Sequence, residues 1–152
     1  MKKLLFLFYM TNLILCSVSP LVVNAAEVEQ SCTEIVEPAS EGLINNYAIW
    51  VSDYNGSLCV TSKTYAPSNM EEIGVKDLIV QYSYNGSDWH DEWNAGNFLA
   101  YGTSEHILSN YIIALERNGC YYRVTCNHYA KKSFLKTQSD PNTSNSVWIP
   151  KK

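Results

Sequence analysis

The sequence predicts an all-β fold, one antiparallel β-sandwich over residues 47–150, and three observations carry that expectation. No stretch keeps a helical apolar period over a full window; the nearest, residues 104–116, is rich in Tyr and Ile and reads as strand. Three Asn-Gly pairs, at 55–56, 85–86 and 118–119, each separate runs rich in β-branched and aromatic residues. Asn-Gly is a strong hairpin signal because both central residues of a type I′ turn need φ > 0. Finally, Tyr122, Val124, Cys126 and His128 alternate with more polar neighbours, as one face of a strand requires.

The chain opens with Lys2 and Lys3, a short apolar run over residues 4–15, and small residues Val23 and Ala25 at the −3 and −1 positions of a cleavage site. Residues 1–25 read as a secretory signal peptide. The run is too short to span a bilayer. Cys16 follows Leu15, whereas a lipoprotein signal wants a small residue there, so export is preferred over a lipid anchor. Residues 26–46 are acidic, with Pro38 and Gly42, and read as an extended arm before the domain.

The strands follow in order. Residues 46–54 and 57–66 flank the first Asn-Gly pair, and 76–84 and 87–93 flank the second. A two-residue loop there pairs Tyr84 with Ser87, Tyr82 with Trp89, Val80 with Asp91 and Leu78 with Trp93. The same geometry at Asn118-Gly119 pairs Leu115 with Tyr122, Ile113 with Val124 and Tyr111 with Cys126, an almost wholly apolar face. Residues 136–145 are polar and read as a loop with an Asp140-Pro141 turn. SVWIP, residues 146–150, supplies a final short strand.

Charge excludes some functions. Residues 1–25 carry two lysines and no acid, which leaves nine Lys and Arg against fifteen Asp and Glu. That balance argues against nucleic acid, whose binding depends on cationic contacts to phosphate. It also argues against anionic membranes, and no membrane insertion is expected after signal cleavage. Cys32, Cys59, Cys120 and Cys126 form an even set in an exported chain and fit no zinc spacing. Cys120 and Cys126 on one strand stand roughly 20 Å apart, too far to bridge. Two connectivities remain: Cys59–Cys126 with Cys32–Cys120, which is favoured, or Cys32–Cys126 with Cys59–Cys120.

YNGSDWHDEW, residues 84–93, is a candidate site because Asp88, His90, Asp91 and Glu92 crowd together. Strand alternation splits them: His90 and Glu92 share a face with Asp88, and Asp91 shares the other with Trp89 and Trp93. No metal site and no cofactor are therefore assigned. His128 reads as a structural histidine and His106 as a solvated loop residue, and no catalytic motif is present, so no catalytic residues are assigned. The surplus of aromatics points to binding. Tyr82, Trp89, Trp93, Tyr111 and Tyr122 are read as core. Tyr54, Tyr84 and Tyr101, near turns, are the candidate contact residues, with Asp88, His90 and Glu92 as a polar rim.

The run LERNGCYYRVTCNHYA, residues 115–130, resembles the penultimate-strand region of fibronectin type III and immunoglobulin-like sandwiches, in which a tyrosine after a Gly-containing turn makes a corner hydrogen bond. That likeness implies that Asn118-Gly119 crosses between sheets, with Tyr121 or Tyr122 as the corner residue. It stands beside the hairpin register as an alternative. Over residues 47–150, VTSKTYA, IGV, NGSDW and YYRVTCNHY are similar to elements of small secreted single-domain β-sandwich proteins of Firmicutes, a family of unknown function. The resemblance implies a fold and an extracellular location and no catalytic residues; the cysteines are outside its pattern. The expected role is a secreted, non-catalytic binding module for cell-wall or host glycan or an extracellular protein. The alternatives are a diffusible effector or toxin-like protein, and a small metal-assisted hydrolase.

Overall fold

A computed structural model describes residues 42–151. The expected signal peptide, most of the acidic arm and Cys32 lie outside the described residues. Eight strands follow in chain order: β1 (Asn46–Tyr54), β2 (Ser57–Met70), β3 (Glu72–Ser83), β4 (His90–Ala100), β5 (Thr103–Ile113), β6 (Cys120–Ser133), β7 (Lys136–Thr143) and β8 (Val147–Ile149). Helix is absent among the described residues. All pairings are antiparallel, in a three-stranded sheet ordered β1-β2-β5 and a five-stranded sheet ordered β4-β3-β6-β7, with β8 also on β6.

Alternation along the strands explains how the sheets face each other. Leu58, Val60, Ser62, Thr64 and Ala66 of β2 are buried, as are Cys120, Tyr122, Val124, Cys126, His128 and Ala130 of β6. The core has an upper and a lower part. The upper part holds Val51, Leu58, Val80, Ile113, Tyr122 and Ile149. The lower part holds Leu43, Ile44, Tyr47, Met70, Ile73 and Ala130, so the last residues of the sequence-defined arm plug that end. Here "upper" is the end carrying the β1–β2 turn and the β3–β4 loop.

The three Asn-Gly pairs do three different things. Asn55 (φ 54°) and Gly56 (φ 79°) form the tight turn joining Tyr54 to Ser57, as their conformational tolerance dictates. Asn85-Gly86 sits instead in a wider loop of residues 84–89. The Asn85 side-chain carbonyl accepts from the backbone N–H of Ser87 and of Asp88, both at 2.9 Å, and the Ser83 hydroxyl accepts from Gly86 N–H. Side chains that satisfy backbone donors in this way make a longer loop as good as a tight turn. The register moves accordingly: Tyr82 faces His90 rather than Trp89, and Val80 faces Trp93 rather than Asp91.

Asn118-Gly119 is not a hairpin. β5 pairs with β2 and β6 with β3, so residues 114–119 cross from one sheet to the other. The expected pairs of Leu115, Ile113 and Tyr111 with β6 are replaced by a corner. The Tyr122 hydroxyl donates to the Arg117 carbonyl at 3.1 Å. The polar stretch expected as a loop is strand β7, which pairs with β6 from Lys136 to Thr143. Pro141 is tolerated there because β7 is the last strand of its sheet along this stretch and needs no donor on its free side.

No disulfide joins the described cysteines. Cys59, Cys120 and Cys126 are free and buried, so neither Cys59–Cys126 nor Cys59–Cys120 is formed. Parity gives the reason: Cys120 and Cys126 point between the sheets with the core residues of β6. Cys59 lies between inward-facing Leu58 and Val60 and points out of the opposite face of its sheet. The backbone of β2 separates the thiols.

Candidate functional site

The upper end of the five-stranded sheet gathers three of the expected site residues, and a bulge decides how. Gln81 pairs with Asp91 and Val80 with Trp93, so Glu92 is the extra residue of β4. A bulge re-aims its side chain. Instead of standing on a polar rim, the Glu92 side chain turns inward and is only 5% exposed. Its Oε1 accepts from Arg117 Nη1 at 2.6 Å and from the Tyr122 hydroxyl at 3.3 Å, while Oε2 is buried without a partner among the described residues.

Arg117 is contributed by the crossing segment, and its guanidinium lies 4.4 Å from the centre of the Tyr82 ring. Tyr82 in turn touches Tyr84 edge-on at 5.6 Å and His90 at 5.4 Å. Tyr84, His90 and Glu92 are thus joined through Tyr82 and Arg117, two residues the sequence reading had not assigned to a site. The hydrogen bond from Arg117 to Glu92 holds the guanidinium above its ordinary pKa. Burial, then the hydrogen bond to Glu92, hold the Tyr122 phenol well above its ordinary range, so it remains a donor.

Beside this cluster, the unpaired edges of β4 and β5 leave a cleft of about 330 Å³. Val80, Tyr111, Ile113 and Leu115 give it apolar walls, with Glu92 and Trp93 on the β4 side and Glu116 on the crossing segment. Trp93, expected in the core, is 47% exposed. The bulge at Glu92 puts it opposite Val80 at the sheet edge, where no further strand of the described residues pairs with β4. The size and lining fit a pocket for a small apolar or aromatic group.

The other expected contact residues are dispersed. Asp88 is exposed and accepts from Asn85 Nδ2 at 2.7 Å, which fixes the loop. Tyr54 is exposed at the upper end of the other sheet, on its outer face, and Tyr101 is exposed at the lower end, between β4 and β5. Among the described residues no group of three or more His, Cys, Asp or Glu could hold a metal ion.

His128 has the partner that a catalytic base would need, but in the wrong surroundings. Its Nδ1 lies 2.7 Å from the Thr64 hydroxyl, which is 3.2 Å from the Gly74 carbonyl. With the hydroxyl donating to Gly74, Nδ1–H donates to Thr64 and the lone pair sits on Nε2, which has no hydrogen-bond partner among the described residues. Thr64 and His128 are both fully buried and His128 is stacked on Tyr47 at 4.6 Å, so no substrate reaches the pair. It is structural. His106 is not in a loop but on β5, opposite Thr64 and half-buried.

Set against known proteins, the chain matches no family model, no curated protein and no solved structure. What the fold and site define is therefore a class: an all-β protein of two antiparallel sheets with an aromatic-flanked cleft at one edge.

Proposed function

We propose that this protein is a secreted, non-catalytic binding module that takes a sugar ring or an apolar side chain of an extracellular partner into the cleft between β4 and β5. The observation that carries the reading is the half-exposed Trp93 flanking an apolar cleft, beside the exposed Tyr84. Aromatic rings at such a position offer large contact area at low entropic cost and stack on sugar faces or apolar groups. The secretory reading of residues 1–25 supports the location. The motifs shared with small secreted proteins of Firmicutes support a like origin.

The sandwich is, in this reading, of the fibronectin type III or immunoglobulin-like kind. Strands 1, 2 and 5 lie opposite strands 3, 6 and 7, with strand 4 beside strand 3, as A, B and E lie opposite C, F and G with C′ beside C. The Tyr122–Arg117 hydrogen bond occupies the place of the tyrosine corner.

The test is partition of the purified protein onto producer cell walls, insoluble polysaccharides and mucin, alongside the variants Trp93→Ala and Tyr84→Ala. Saturable binding that either variant weakens tenfold or more supports the reading. Absence of binding to all of these would leave the diffusible effector as the better account.

A further inference from the structure

The turn joining β6 to β7 differs in chemistry from the turn joining β1 to β2. Ser133 pairs with Lys136, so Phe134 and Leu135 make the whole turn, and they are 89% and 91% exposed. Neither has a positive φ, so the turn admits most residue types and does not select this pair. Polar residues and glycine usually fill such places, as Asn55 and Gly56 do. Single apolar residues on a surface need no explanation, but two large neighbours at a hairpin tip, contributing nothing to the core, do.

We propose that this tip docks on an anionic lipid bilayer, with Phe134 and Leu135 entering the interface and Lys132 and Lys136 meeting the headgroups. The first support is protrusion. β3 begins at Glu72, opposite Lys131, and beyond Lys131 the β6–β7 hairpin pairs with no other described strand. From Lys131 to Phe134 the chain advances about 10 Å. Apolar groups that lie in a bilayer interface enter it by about 5–10 Å, so the tip is long enough to reach that depth.

The second is charge. Lys131 is matched by Glu71 at 3.4 Å and by Glu72 at 3.0 Å. Lys132 and Lys136 are exposed, and neither makes an ion pair among the described residues. The Lys132 ammonium donates instead to the Asn69 carbonyl at 2.6 Å and the Ser68 hydroxyl at 3.2 Å. Those neutral groups at the end of β2 hold the charge beside the tip without cancelling it. Apolar side chains flanked by lysines suit a boundary where the first sink and the ammonium groups stay with anionic headgroups. A protein would need a socket shaped to this tip, whereas a bilayer accepts any protruding apolar point.

The net charge of −4 belongs to the whole chain, and at physiological ionic strength the field of exposed charges fades within about 8 Å, no farther than the tip projects. It therefore does not prevent contact at this one point. The tip lies at the lower end, with the start of β1, while Trp93 and Tyr84 lie towards the upper end. Docking by the tip leaves the cleft turned away from the lipid.

The full chain is sedimented with vesicles of phosphatidylcholine alone and of phosphatidylcholine mixed with phosphatidylglycerol. Binding to the mixed vesicles, weaker on the neutral ones and falling as salt rises, is the expected result. Phe134→Ser combined with Leu135→Ser should lower it at least about tenfold, with an unchanged urea midpoint because both side chains are already in water. Phe134→Trp adds a local reading: the introduced indole should be quenched by lipids brominated in their acyl chains. Equal binding by the double variant, or an unquenched indole, would overturn the proposal. So would self-association that the double variant abolishes without any vesicle binding, which would assign the tip to a second copy of the chain. Trp93→Ala and Tyr84→Ala should leave vesicle binding unchanged, so the tip and the cleft succeed or fail independently.

Discussion

The hydroxyl of Tyr122 lies 3.1 Å from the carbonyl of Arg117, five residues earlier, and 3.3 Å from Glu92 Oε1. One fully buried phenol thus ties the sheet crossing to the bulge beside the cleft. Tyr122→Phe keeps the ring and removes the donor. A hydrogen bond involving a charged group contributes about 1.5–3 kcal/mol. The expected loss is about 2 kcal/mol in urea unfolding, with the denaturant slope unchanged. A loss below about 0.5 kcal/mol would mean that water replaces the contact.

Asn145 performs a similar service at the opposite edges of the sheets. Its side chain accepts from Val51 N–H and donates to the Val51 carbonyl, both at 3.0 Å, joining β1 to the segment before β8. Asn145→Ala leaves both backbone groups of a buried residue without these partners. It should cost about 2 kcal/mol, and hydrogen exchange at Val51 should speed up before global unfolding does.

His128 should make stability depend on pH. Burial, together with the nearby His106, lowers its pKa to about 4 from an ordinary value near 6.5. Between those values the unfolded chain binds a proton that the folded one refuses, so stability rises with pH across the window. It is complete above about pH 6.5 and is lost as pH falls towards 4, by about 3 kcal/mol in all. Urea midpoints from pH 7 to pH 4 measure this slope. His128→Gln should flatten it, and an unchanged slope would place the titration elsewhere.

Gly74 is held at φ 152° in β3, where it pairs with Leu99. A Cβ there would overlap the Phe98 carbonyl oxygen. Gly74→Ala therefore forces the β3 and β4 backbones apart, and a loss of more than about 2 kcal/mol is expected. Gly96, whose Cβ would meet nothing, is the control: it too has positive φ, so its substitution isolates the cost of conformation from that of overlap.

Much of the sandwich was legible because β6 alternates cleanly: its inward positions from Cys120 to Ala130 are the buried ones. Turn chemistry was legible at Asn55-Gly56 for the same local reason. The neighbouring cases were not, because the deciding partners are distant or are side chains. Asn85 widens its loop through its own amide, and that slip with the Glu92 bulge moved Trp93 to the surface and Glu92 inward. β7 hid because its inward positions, Gln138, Asp140 and Asn142, are polar: Gln138 accepts from Leu43 and Ile44 and donates to Asp140 instead of packing in an apolar row. Arg117 could have been suspected only by taking the corner likeness at its word.

The two ends of the described domain leave in opposite directions: β1 begins at the lower end, and β8 runs towards the upper end along β6. A pull applied between them would run lengthwise along both terminal strands. The ladders β1–β2 and β6–β8 would then be loaded in shear, with their hydrogen bonds strained together rather than unzipped one at a time. A domain held by one end and loaded through the other would resist force better than its modest size suggests.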